Sequence, residues 1–331
     1  VVVPDSADDR EAAARLTRLT DGYLVTQLLH VVVELGVADA LAAGPATAAE
    51  LAARVGADAG ALERVLRGLA TEGVLDERDG RRFALTPVGE LLRTDHPRSC
   101  SGPVSVRGGL YYGALAGLPD AVRHGGTAFE RVHGRPFFDH LAAHPEDSAL
   151  FQASMAARAV REAAAVVEAH DFSRFGSLVD VGGGTGLLLR RVAAAHPGLR
   201  VTLFDRPEVV RRSGLPGIGG DFFEAVPAGA DAYVLSRVLH DWDDDDALAV
   251  LRSCRRAMDP TAVLLVVEAL LPERAADDPA AVRMDLHMMA LLRGRERTLA
   301  EYSALLDAAG LRLGGVTPAG AVHVLEARPA G

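Results

Sequence analysis

The chain has 331 residues, 49% of them hydrophobic, and a mean hydropathy of +0.14, which suggests about two domains and excludes a disordered chain. No apolar run approaches the ~18–20 residues of a membrane span, Val1–Asp5 carry no basic or long apolar leader, and the two cysteines, Cys100 and Cys254, lie far apart, as in a reduced cytoplasmic protein. The 35 basic residues against 45 acidic ones leave a net charge of −10, which argues against a nucleic-acid partner.

The first ~100 residues read as helical. From Tyr23 to Leu41 the apolar residues Leu24, Leu28, Val31, Val32 and Leu35 share one broad helical face. Thr47 and Glu50 form a capping box opening a helix to Val55, and Asp58 caps the next, Ala61–Glu72. Val74-Leu75 and Arg82–Leu85 bracket Arg78-Asp79-Gly80 as a β-hairpin. Helix, turn, helix and hairpin make a winged-helix pattern. DNA recognition is one use of it; with Glu63 and Glu72 beside Arg64 and Arg67, a dimerisation module is the better reading. Residues 101–170 continue mostly helical.

From Ser177 the pattern alternates. Strands are expected at Leu178–Val181, Arg200–Phe204, Ala232–Leu235, Ala262–Glu268 and Val322–Glu326, with helices between. The fold class is therefore α/β, a Rossmann-like doubly wound domain preceded by the helical one. Between Val210 and Gly220 only nine residues intervene, too few for a helix end, a loop and a strand of ~5 residues. The segment reads as abbreviated or incomplete.

Leu178–Val181 runs into Gly182-Gly183-Gly184-Thr185-Gly186, a loop whose glycines let the backbone approach a ligand. The dinucleotide fingerprint fails, because its third glycine would fall on Leu187 or Leu189. Asp180 would repel a pyrophosphate but suits an ammonium group, and Asp205, at the end of the next strand, can bond ribose hydroxyls. Acid, glycine loop and acid together fit S-adenosylmethionine.

The segments LVDVGGGTG, LFDRPEVV, GDFFEAVP, VLSRVLHDWDDDDALAVLRSCRRAM and RGRERTLAEYSALLDAAGL resemble, in order, those of the COMT-like small-molecule O-methyltransferases, in particular the bacterial branch that tailors polyketides and antibiotics. The resemblance covers nearly the whole chain. It implies a dimerisation domain over 1–100 and a methyltransferase domain over 101–331, with a substrate-binding helical segment at 101–170 and the core at 171–331. It places Gly182 at the methionine part of the cofactor, Asp205 at the ribose, and Asp221 and Phe222 beside the adenine, with Gly184 also among the cofactor-binding residues. Trp242 falls near the adenine or in the core. Ser236 stands where many members carry a cofactor-touching Lys, a departure from the pattern. Glu268 and Glu296 match positions flanking a catalytic histidine, and Phe151, Met155, Met288, Met289 and Leu292 match acceptor positions. S-adenosylhomocysteine would be the coproduct.

The chemistry supports the same histidine. A phenol, with pKa about 10, is a poor nucleophile at neutral pH, and a positioned base helps it typically ~10²–10⁴-fold. His240 follows the strand at Ala232–Leu235, at the carboxyl edge of the sheet where α/β ligands bind. Every basic residue is arginine, and the chain has neither Lys nor Asn, so no mechanism needing a catalytic one applies. Asp241 and Asp243–Asp246 tempt a metal reading. Acids opening the helix Ala247–Met258 instead complement its dipole, and no metal is expected. The expected reaction is O-methylation of a small aromatic by a homodimer. The alternatives are an N or C acceptor, a same-fold enzyme with another activity, or a winged-helix regulator sensing S-adenosylmethionine.

Overall fold

A computed structural model describes residues 7–331, the side chain of Ala157 apart. The reading of Val1–Asp5 lies outside the described residues. By their contacts the residues form two compact units. One runs up to Gly113 and takes in Leu141–Met155; the other comprises Ala114–His140 and Ala156–Gly331.

The first unit follows local signals closely. Helices span Ala7–Thr20, Gly22–Glu34 and Val37–Leu41. β1 (Ala46–Thr47) leads into the helix Ala48–Val55, whose Thr47–Glu50 capping box is complete in both directions. Asp58 accepts from the Ala61 N–H and opens the helix Ala59–Thr71, two residues earlier than expected, because the N-cap itself starts the turn. The hairpin β2 (Leu75–Arg78) and β3 (Arg82–Leu85) pairs antiparallel, and β1 joins β3 to complete the wing. Val32, Leu51, Leu62, Leu66, Leu69 and Phe83 bury against one another beneath it. On the helix a DNA reader would use, Arg67 pairs with Glu77 at 3.6 Å and Glu63 with Arg81. These charges are engaged within the module itself.

The second unit is built on a seven-stranded sheet: β4 (Ser177–Val181), β5 (Arg200–Asp205), β6 (Gly217–Gly219), β7 (Ala232–Ser236), β8 (Val263–Glu268), β9 (Leu311–Ala319) and β10 (Val322–Pro329). The order is β6-β5-β4-β7-β8-β10-β9. The first five strands are parallel, and β10 runs antiparallel to both of its neighbours. All six residues of β8 are buried, as expected of a strand covered on both faces. The chain moves outward from β4 in both directions, so the carboxyl ends of β4 and β7 flank the switch point where such folds bind ligands.

Two expectations need correction. The nine residues after Val210 do hold a strand. The helix Pro207–Ser213 ends at Gly214, and the three residues of β6 then pair with Leu203–Asp205. An edge strand needs bonds on one side only, so three residues suffice. β9 went unread because Gly314-Gly315 and Pro318 interrupt its alternation; pairing along β10 holds it. The remaining strands extend those read from the sequence by one to a few residues or shorten them by one.

Candidate active site

The glycine loop leaves β4 with Gly182, Gly184 and Gly186 all at positive φ, between 59° and 71°. A Cβ on Gly183 would sit 2.3 Å from the Asp180 carboxylate, so only glycine passes over that side chain. Asp180 lies fully covered below, with neither oxygen hydrogen-bonded. Burial, with the Asp205 charge adding to it, pushes its carboxyl up to about 7. Asp205 Oδ2 accepts from the Gly184 N–H at 2.8 Å and Oδ1 from the Arg206 N–H. A carboxylate accepts about four bonds, so capacity remains for hydroxyl groups. A Cβ on Gly184 would meet nothing; this is the open side of the loop. An unpartnered acid, an open glycine and a half-buried acid with spare lone pairs fit a ligand with a cationic end and a ribose.

Beside the loop, Gly182 faces Val238 and Phe222. Phe222 meets Trp242 edge-on with ring centroids 5.9 Å apart, and Phe223 meets the same indole at 4.8 Å. Trp242 also packs on the sheet's core. Asp221 is exposed, and its Oδ1 accepts from the Phe223 N–H, which fixes the turn carrying the aromatic pair. Ser236 is half-buried at the end of β7.

His240 lies in a short 3-10 turn, Leu239–Asp241, just beyond β7, and is 5% exposed. The two glutamates divide the work of placing it. Glu268, at the end of β8, accepts through Oε1 from the backbone N–H groups of Leu239 at 2.9 Å and His240 at 3.3 Å. Glu296 Oε1 lies 3.0 Å from His240 Nδ1; Glu268 Oε2 is 3.9 Å from that nitrogen. Glu268 thus holds the backbone and Glu296 the ring. Burial, the largest influence on His240, opposes its charge. Glu268, Asp241 and Glu296 together outweigh it, and the imidazole titrates above its usual value. Burial also works to raise Glu296, but the bond to His240 and the charges of His240, Arg237 and Arg158 leave it lowered. Glu296 is therefore an acceptor, and Nδ1–H donates to it. Nε2 is 3.4 Å from Asp241 Oδ1.

Three residues that sequence reasoning missed complete the arrangement. Arg297, 0% exposed, donates to the carbonyls of Leu239 and Trp242 and to Asp244. Gly294 lies so close that a Cβ would fall 1.9 Å from the His240 carbonyl oxygen. Arg237 lies among the glutamates. The only sequence signal for the arginines is position: one directly follows a buried strand, the other directly precedes the N-cap of a capping box. The Asp run is explained locally. Asp243 caps the helix Asp244–Ala257 by accepting from the Asp246 N–H, and Asp244 engages Arg297. His240, Glu268 and Glu296 offer atoms within 4.8 Å of one another, a grouping the direct His240–Glu296 bond accounts for.

Of the expected acceptor residues, Met288 is buried and Met289 partly exposed on the helix Pro279–Leu291, and Leu292 caps its end. That helix also supplies Asp285, which accepts from the Glu296 N–H. Phe151 and Met155 are half-buried on the helix Pro145–Ala169, in the part belonging to the first unit.

Residues 115–312 match the family model of the O-methyltransferase domain, and residues 17–95 that of the O-methyltransferase dimerisation domain. The chain belongs to this family. It is 41% identical over 327 residues to a phenazine O-methyltransferase, PhzM, of Lysobacter antibioticus, covering 95% of each chain. It superposes on the structure of the mitomycin 7-O-methyltransferase MmcR with a TM-score of 0.90 at 36% identity, covering 98% of this chain and 100% of that one. The neocarzinostatin O-methyltransferase NcsB1, solved with S-adenosylmethionine and a hydroxynaphthoic acid, gives 0.81 at 34%, covering 92% and 96%. The family is not uniform: an 8-amino-8-demethylriboflavin N,N-dimethyltransferase of Streptomyces davaonensis is 36% identical over 98% of each chain. The aclacinomycin 10-hydroxylase RdmB of Streptomyces purpurascens is 37% identical over 88% of this chain and 83% of that one. The chain is thus an S-adenosylmethionine-dependent O-methyltransferase of the antibiotic-tailoring branch. Among its described residues no helix is long and apolar enough to cross a membrane.

Proposed function

We propose that the enzyme methylates a phenolic hydroxyl of a small aromatic, polyketide-type intermediate, with His240 as general base. The observation that carries this reading is the 3.0 Å bond from His240 Nδ1 to Glu296, which leaves Nε2 as the basic nitrogen. Asp180, Gly182, Gly184 and Asp205 would hold the amino-acid and ribose parts of S-adenosylmethionine. Asp221, Phe222 and Trp242 would line its base end, and Ser236, at the end of β7, would also face the cofactor. When bound, this group supplies a methyl already electrophilic on its sulfonium. The protein's task is then to orient the acceptor oxygen and remove its proton as the bond forms. Phe151, Met155, Met288, Met289 and Leu292 are assigned to the acceptor on the family resemblance.

An anchored base favours oxygen over nitrogen. An amine attacks through its own lone pair and sheds its proton afterwards, so it gains little from His240. The test is incubation with S-adenosylmethionine and a panel of hydroxylated aromatic acids, polycyclic phenols and the matching aryl amines, read by mass. Methylated phenols support the reading. Methylation of the amines alone, or hydroxylated products, would overturn it.

Asp180 gives the cofactor site a pH dependence. Its carboxyl holds a proton up to about 7 in the free protein, whereas a cationic ligand favours the ionised form. Affinity for S-adenosylmethionine, followed by calorimetry, should therefore weaken as pH falls through about 7. The sign for stability is opposite. The folded chain keeps a proton that the unfolded chain has already lost, so the free protein loses stability as pH rises from the ordinary 3.8 to about 7. A dissociation constant that is flat across that window would remove Asp180 from the site.

The first unit is proposed to pair with a second copy. The helix Ala7–Thr20 buries none of its residues, and Leu16 and Leu19 are 66% and 69% exposed. Adjacent exposed leucines mark an interface. Sedimentation at micromolar concentration should give a dimer, and Leu16→Asp with Leu19→Asp should weaken it. A wild-type monomer would refute the pairing.

A further inference from the structure

We propose that Arg237 is a positioning residue for the base: its guanidinium, boxed by the buried carboxylates of Glu268 and Glu296 and the half-buried one of Glu162, keeps Glu296 an acceptor so that His240 presents an unprotonated Nε2. This rests on the reading of His240 given above. The geometry has two parts. First, Arg237 is one of two non-glycine residues at positive φ among the described residues, with φ +56°, a region L side chains rarely enter. Its N–H donates to the Val267 carbonyl of β8 at 3.0 Å. Such a conformation persists only where its surroundings over-determine it; here it turns a long cation back beneath the His240 turn. Second, that cation is shared. Nη1 lies 3.4 Å from Glu296 Oε1 and 3.7 Å from Glu268 Oε2, and Nε lies 3.7 Å from Glu162. The Glu296 oxygen that Arg237 approaches is the one bonded to His240 Nδ1.

The charges explain the need. Glu162, Glu268, Glu296 and Asp241 face the cluster, against Arg158, Arg237 and the imidazole, with the Tyr302 hydroxyl close by. Burial already holds Glu268 above the usual carboxylate range, with His240 and Arg237 opposing it. Without Arg237 the cluster would bind a proton more tightly. If that proton went to the imidazole, Nε2 would no longer be free. If it went to Glu296, the acid would donate to Nδ1, and the ring proton would move to Nε2. Either way the base is lost until the pH is raised.

The test needs no acceptor. Histidine side chains labelled with ¹⁵N are titrated by NMR in the free enzyme, with His240→Gln identifying the signal. In Arg237→Gln the His240 titration should move up by about 1–3 pH units, as loss of one adjacent opposite charge implies. Arg237→Lys should restore most of it, and S-adenosylhomocysteine affinity should stay within about twofold of wild type in both. If Arg237→Gln does not fold, as judged by thermal melting, Glu162→Gln serves instead. It removes one competing carboxylate and should move the titration down. An unmoved His240 titration in a folded variant, with the ¹⁵N shifts still showing the proton on Nδ1, overturns the assignment. Once an acceptor is in hand, a shifted titration with a methyl-transfer pH profile that ignores it would overturn His240 as base, leaving Arg237 only as the residue that sets the His240 titration.

Discussion

His240→Ala is expected to lower kcat by ~10²-fold or more, the usual contribution of a positioned base, while S-adenosylmethionine affinity stays near wild type. The split follows from the geometry. The loop and its two acids lie at the end of β4 and β5, whereas His240 is carried on the turn after β7. Raising the pH should rescue the variant in part, because more phenolate forms unaided as pH approaches about 10. Wild-type turnover should also rise with pH, through a value above the ordinary histidine range, since the raised imidazole must be neutral to act. Glu296→Gln should cost less than His240→Ala, because an amide oxygen still accepts from Nδ1–H but does not stabilise the imidazolium. Stopped assays across the pH range, with the acceptor found in the panel, decide the matter. A wild-type rate in His240→Ala would mean that the acceptor ionises by another route and that the enzyme works by alignment alone.

Arg297→Met should be the most destabilising single change near the site. The arginine is fully buried and gives hydrogen bonds of 2.9 Å to the carbonyls of Leu239 and Trp242. Methionine fills much of the volume but offers no donor. The buried Leu239 carbonyl left without a partner costs about 1–3 kcal/mol and the part-buried Trp242 carbonyl less, so a loss of roughly 2–4 kcal/mol is expected. Release from desolvating the guanidinium offsets part of this. Asp244, 56% exposed, returns to water at little cost. The two carbonyls bracket His240, so turnover should fall along with stability. Urea unfolding measures the first and the methyl-transfer assay the second. A change below about 1 kcal/mol, within the range of ordinary surface substitutions, would show that the turn holds itself.

Local signals were legible and distant ones were not. The Thr47–Glu50 box and the strand ending in Glu268 depend on neighbours in sequence, and both form where the sequence places them. β6 could not be read from Gly217-Ile218-Gly219, because only pairing with β5 makes it a strand. His240 stood out through its place after a strand. The sequence could name Glu268 and Glu296 but not separate their tasks, since one reaches backbone amides 28 and 29 residues away and the other a ring 56 residues away. Arg237 and Arg297 carried no signal beyond their positions beside a strand end and a capping box. Their meaning arises only where three segments converge.

The bond from the Gly184 N–H to Asp205 has a consequence for how fast and how cheaply a ligand is taken up. The loop is already closed onto its acid in the free protein, so the entropy of ordering it is lost during folding and not at the encounter. An arriving ligand meets a preformed cradle, and its affinity is not reduced by the cost of assembling one.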